Sequence, residues 1–246
     1  MGSELIIILS VIFLAIFIRS VFGFGDALMA MPVLTVCCGI EFATPLMAMV
    51  GFTIATLILL PDYRTVVIRT VSRLVISSII GIPVGIFFLK TVNESLVKVI
   101  LAVLIILYSL YRILGWKLRQ GLPQGWSWLF GFTAGILGGA YNTNGPPVIV
   151  YGTLTGWEPG QFRVTLQGYF MPTGIFILAG HALSGLWTGE VLRAYLWSLP
   201  VILAAYFMGK QVLRKISPQR FYTWVYVLLV CIGLYLLADS LCVLIH

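Results

Sequence analysis

Charge is what this sequence has least of: 9% of its 246 residues are Asp, Glu, Lys or Arg. A water-facing surface needs ionic groups, and soluble domains carry about 25% of them. A chain this poor in charge cannot cover itself for water, so most of its outer surface faces bilayer. Histidine is scarce too, limited to His181 and His246. His181 follows Gly180 with no acid nearby and reads as an exterior loop residue. Cysteine occurs four times, at Cys37, Cys38, Cys231 and Cys242, inside or at the ends of apolar runs and without a CxxC spacing. These are read as small apolar side chains rather than metal ligands or disulfide partners. Walker loops and nucleophile elbows are absent. Gly23-Phe24-Gly25 follows no strand and lacks the third glycine of a dinucleotide fingerprint. The chain is therefore read as a non-enzyme that uses no metal and no cofactor.

What is present is apolar: 60% of the residues are hydrophobic and the mean hydropathy is +1.05. A net charge of +7 would suggest nucleic acid in a soluble protein. Here the basic residues sit in short clusters between apolar runs, as cytoplasmic anchors beside membrane lipid do, and nucleic acid is not a partner. Residues 5–22 lack a basic leader and a cleavage site, so they are read as mature structure. A helix needs about 20 apolar residues to cross a bilayer. Candidate crossings are 43–60, 74–89, 96–114, 164–179, 194–207 and 221–238. Two further apolar regions, 5–38 and 126–155, are interrupted by glycine-rich breaks at Phe22-Gly23-Phe24-Gly25-Asp26 and at 138–147. Each reads as two helical arms.

The breaks hold matching places in two halves. Laying 23–32 on 141–150 sets Asp26 opposite Asn144. Gly39-Ile40-Glu41 then matches Gly156-Trp157-Glu158, Gly51-Phe52 matches Gly168-Tyr169, and 91–96 matches 216–221. The expected fold is an all-α integral membrane protein of two repeats, each a broken helical hairpin followed by three transmembrane helices. The first repeat is 1–115, a cytoplasmic linker is 116–125, and the second repeat is 126–246. Basic residues cluster around Arg69, Lys117 and Lys215. If all three clusters are cytoplasmic, each half makes an odd net number of crossings. The repeats are then inverted and both termini lie outside a bacterial or archaeal plasma membrane.

Matched broken helices point to a transporter's binding site, because bare backbone in hydrocarbon is tolerated where it lines a protein cavity. A helix starting mid-membrane aims free N–H groups and a positive dipole end at that cavity, which suits an anion. Pro146 and Pro147 fit the first turn of such a helix, Asn144 fits its N-cap, and Asn142 and Thr143 add neutral donors. The plainer reading is a tight interhelical turn that needs glycine to pack. Asp26 is an acid within the apolar region. It either caps the helix beginning near Ala27, pairs with a basic group, or carries a coupled proton. Arg19 either faces the cavity as the anion's partner or snorkels to an interface. Arg163 reads as a cytoplasmic anchor and Gln167, one turn on, as a cavity residue. Tyr141, Tyr151 and Tyr169 offer hydroxyls or packing. The substrate-binding set is Arg19, Gly23, Phe24, Gly25, Asp26, Tyr141, Asn142, Thr143, Asn144, Gly145 and Gln167, with substrate expected between the breaks and held mainly by the second.

Gly23-Phe24-Gly25-Asp26-Ala27-Leu28-Met29-Ala30-Met31-Pro32 and Gly138-Gly139-Ala140-Tyr141-Asn142-Thr143-Asn144-Gly145-Pro146-Pro147 resemble the glycine-rich motifs of the sulfite exporter TauE/SafE family, the toluene sulfonate uptake permeases. The first motif departs from the family pattern, with Asp26 and Ala27 where glycines are common. The resemblance implies a permease for small sulfur oxyanions, organosulfonates or related carboxylates. A passive anion channel is the alternative. A membrane-embedded enzyme would need a convergent nucleophile, acid–base pair or metal set, and the sequence offers none.

Overall fold

The computed structural model describes residues 2–89, 99, 102–103, 106–110, 113–114, 122–141, 144–183 and 185–245. These are helical, with no strand among the described residues. In chain order the long helices are α1 (Gly2–Phe22), α2 (Asp26–Cys38), α3 (Ile40–Asp62), α4 (Ile68–Leu89), α5 (Trp126–Tyr141), α6 (Gly145–Thr155), α7 (Pro159–Leu183), α8 (Gly189–Lys215) and α9 (Pro218–Ile245). Both apolar regions divide within the expected breaks, although in the second Gly138 and Gly139 stay inside α5, which ends at Tyr141. Three stretches among the described residues, Glu4–Phe22, Glu41–Thr65 and Gly189–Lys215, are long and apolar enough to cross a membrane. Their outer faces stay apolar: Leu196, Trp197 and Phe207 on α8 are exposed, which water would penalise and lipid does not. The expected turn at 91–96, most of the linker, and the basic residues Arg112, Lys117 and Arg119 lie outside the described residues.

The chain divides into two compact units, one of Met1–Val66 with Arg163–Ile216, the other of Val67–Phe162 with Ser217–His246. In the first, α1 packs along α8 and α2 packs on α1 and α3. Ile12, Ile16, Leu34, Leu46, Val50, Ile54 and Ile202 form its core. Lipid removes the hydrophobic drive between helices, so close approach of small residues takes its place. Gly209 of α8 shows this: a Cβ there would come 3.0 Å from the Phe17 carbonyl oxygen of α1. In the second unit, α4 packs along α5. Gly131 and Gly135 of α5 lie directly against Leu74, Ser77 and Ser78 of α4, and Ser78 donates to the Gly131 carbonyl at 2.7 Å.

α8 begins on a true cap. Thr188 has extended backbone angles and its hydroxyl accepts from the Val191 N–H at 3.3 Å, relieving one orphan donor of the first turn. His181 sits in the last turn of α7, half-buried, rather than in a loop. The helix simply runs past Gly180.

Candidate functional site

The first break is built by two glycines. α1 closes its last turn when the Gly23 N–H donates to the Arg19 carbonyl at 2.7 Å. Gly23 and Gly25 then take φ of 87° and 98°, a region that side-chain-bearing residues avoid. α2 starts at once, with the Met29 N–H reaching the Gly25 carbonyl at 3.2 Å. The tight reversal sets the last turn of α1 beside the first turn of α2. Arg19 Nη1 meets Asp26 Oδ2 at 2.6 Å, with both side chains under 10% exposed. Phe24, between the glycines, is buried. α3 passes close by at Gly51, where a Cβ would lie 3.3 Å from Arg19 Nη1 and 3.7 Å from Asp26 Oδ2.

α7 completes the cluster. Gln167 Oε1 accepts from Arg19 Nε at 3.2 Å and from Nη2 at 2.8 Å. Its amide nitrogen donates to the Gly23 carbonyl at 2.7 Å. The Arg19 guanidinium carbon also lies 5.4 Å from the centroid of the Phe170 ring, a cation–π contact. Arg19 therefore does not snorkel; its head group is held inside the protein. Asp26, weighed as a cap, a charge partner or a proton carrier, is paired with Arg19.

Arg163 corrects the sequence reading. It is not an exposed anchor but is 3% exposed, and Nη1 donates to the Ser20 carbonyl at 2.7 Å. The reason lies in the break. A helix that ends at Phe22 leaves its last carbonyls without partners, and a basic side chain can supply the missing donor. Its Nε has no partner. Gly23 makes room: a Cβ there would stand 3.0 Å from the Arg163 Cα. The sequence signal was the spacing of Arg163 and Gln167, one turn apart; the acceptor is 143 residues away.

At the second break, α5 ends at Tyr141 and α6 begins at Gly145. Asn142 and Thr143 lie outside the described residues, and Asn144 corrects another expectation. It stands at the N-cap position with helical angles, φ −84° and ψ −12°, and its side chain makes no capping bond. A cap side chain serves the N–H groups of the second and third helical residues. Those are Pro146 and Pro147, which have none. Tyr151 is fully buried against Phe130 and Trp157, and Tyr169, also fully buried, lies edge-on to Phe170. A recess in the same unit as the second break, lined by Ile113, Thr153, Gly156, Gln219, Tyr222, Thr223 and Tyr226, has no charged group among its lining residues.

The family model described as Sulfite exporter TauE/SafE matches residues 8–236. The chain belongs to the sulfite exporter TauE/SafE family. The match spans both helix breaks and every helix from α1 to the body of α9. This TauE/SafE chain is thus a multi-pass membrane protein of a transporter family. No curated protein and no solved structure matches it.

Proposed function

We propose that the protein is a secondary permease for a small anion, a sulfur oxyanion, organosulfonate or related carboxylate, with the first break as its principal binding element. The observation that carries this reading is the buried cluster of Arg19, Asp26 and Gln167 at a helix break in a transporter-family chain. Ionisable groups inside a membrane protein are costly and mark substrate or proton paths. The first turn of α2 keeps all its N–H groups, whereas Pro146 and Pro147 strip two from α6, so the weight falls on the first break rather than the second. Asp26 is the coupling residue for a proton. Asn142, Thr143, Asn144 and Gly145 serve as neutral donors.

Two features support inverted repeats over 1–115 and 126–246. The second arm of each broken helix ends at a glycine of positive φ, Gly39 at 82° and Gly156 at 71°, and these are matching positions. The first arm of each pairs with the second full helix of the other half: α1 with α8, and α5 with α4. Both termini then face outward from a plasma membrane.

The test is a stability screen of the purified protein against sulfite, thiosulfate, sulfonates and small carboxylates, where a ligand raises the melting temperature by mass action. Counterflow in proteoliposomes then distinguishes a carrier from a channel. No stabilisation by any of these anions would overturn the reading.

A further inference from the structure

In the first unit, three charged side chains among the described residues are buried: Arg19, Asp26 and Arg163. Two are cations and one is an anion, so the buried group carries one uncompensated positive charge. The pairing shows which residue holds it. Arg19 is matched by Asp26 at 2.6 Å and its remaining edge by Gln167. Arg163 meets a neutral backbone carbonyl at Ser20, and its Nε meets nothing.

An isolated buried charge is expensive, and a guanidinium left with an open donor more so. The C-terminal end of α1, where Ser20 lies, contributes only a partial negative charge. No carboxylate among the described residues forms an ion pair with Arg163. α8 brings Tyr206 and Lys210, the latter 5.8 Å from the Tyr206 ring centroid. α3 brings Gly51 to the pair. Of its two exposed acids, Glu41 and Asp62, Asp62 lies within electrostatic reach of Arg163 but forms no ion pair with it, and from an exposed position its charge is screened by solvent. Within the buried trio itself, a further anion would complete the balance.

We propose that Arg163 is the substrate's counter-charge, and that the single uncompensated charge of the cluster selects a singly charged oxyanion. This rests on the reading that the first break binds the transported anion. Asp26 acts as a built-in valence setting: it cancels Arg19 and leaves one positive charge for the ligand. A dianion entering the same site carries one negative charge too many, unless a proton neutralises Asp26. Arg163 donates through Nε and its planar fork, the geometry that suits an oxyanion.

The experiment titrates the thermal stability of the purified full chain with methanesulfonate, a monoanion, and with sulfate, a dianion, at constant ionic strength in gluconate. The wild type is stabilised by methanesulfonate at concentrations about tenfold lower than sulfate requires. Arg163→Gln, which removes the charge, weakens methanesulfonate binding by about tenfold or more, and Arg163→Lys, which keeps the charge but loses the planar fork, weakens it less than Arg163→Gln does. Asp26→Asn raises the uncompensated charge by one, so the preference shifts toward sulfate by about tenfold. That arm decides the matter even if Arg163→Gln fails to fold. Unchanged methanesulfonate affinity in a folded Arg163→Gln, or an unchanged anion ratio in Asp26→Asn, would overturn the proposal and leave the permease reading standing. A wild type that neither anion stabilises would remove the first-break site itself.

Discussion

Gln167 of α7 donates its amide to the carbonyl of Gly23 at 2.7 Å while its oxygen receives the Arg19 guanidinium. One side chain thus serves two needs that the helix break creates. The glycine at positive φ leaves a carbonyl outside the helical ladder, and the buried arginine needs an acceptor beyond its carboxylate partner. Because Gln167 is fully buried, nothing from solvent replaces it. Gln167→Ala should destabilise the protein by about 1–3 kcal/mol, the usual cost of leaving buried polar groups without partners. At roughly 2–4 °C per kcal/mol for a chain of this size, thermal unfolding in detergent resolves that loss. A melting temperature equal to wild type would show that these bonds contribute no stability.

Gly23 and Gly39 allow the backbone and contact costs of a side chain to be separated. Both have φ near 80–90°, at 87° and 82°. A Cβ on Gly23 would press to 3.0 Å on the Arg163 Cα, whereas one on Gly39 would meet nothing within 4 Å. Gly39→Ala should cost about 1–2 kcal/mol from backbone strain alone. Gly23→Ala should cost more, because the Arg163 backbone cannot give way as a flexible side-chain tip can. Equal melting temperatures for the two variants would mean that the contact is loose.

Much of this was legible in the sequence. Glycines and prolines punctuating apolar runs announced both breaks, because those residue types have few other uses mid-membrane. Gln167 and Arg19 were legible as polar groups in apolar surroundings. Arg163 was misread because a basic residue at a helix start is usually an anchor; only the long-range approach of Ser20 reveals its role. Asn144 was misread because the sequence suits a cap while the two prolines after it remove the donors. The pairing of α1 with α8, with its shared apolar core and its close approach at Gly209, gave no signal in hydropathy.

Asp26 carries the coupling prediction. Asp26→Asn keeps a hydrogen-bonding oxygen beside Arg19 and cannot take up or release a proton in the working pH range. It should abolish accumulation driven by a proton gradient in proteoliposomes while counterflow of the bound anion persists. Full gradient-driven accumulation in this variant would place coupling at another residue.

The inverted arrangement is open to a labelling test. The exposed basic residues Arg69 and Lys215 should share one side of the membrane with Lys117, as the positive-inside bias implies. Single cysteines introduced beside each, after removal of Cys37, Cys38, Cys231 and Cys242, should all react with an impermeant probe from the same side. Reaction of the Lys117 and Lys215 sites from opposite sides would contradict the inversion.

Asn144 carries the last prediction, and its sign is unusual for a residue at the start of a helix. Truncating a capping Asn to Ala ordinarily costs about 1 kcal/mol, because an N–H of the first turn loses its acceptor. In α6 the second and third positions are Pro146 and Pro147, so the donors that the side chain would serve do not exist. The backbone agrees: Asn144 already has helical angles, and its side chain makes no capping bond. Asn144→Ala should therefore change stability by less than about 0.5 kcal/mol, within the range of ordinary surface substitutions. Any effect on transport then reports contact with the anion, not damage to the helix. Thermal unfolding and anion titration on the same preparation separate the two. A loss of a full kcal/mol or more would show that Asn144 supports α6 by a route other than capping, and its use as a clean probe of anion contact would fail.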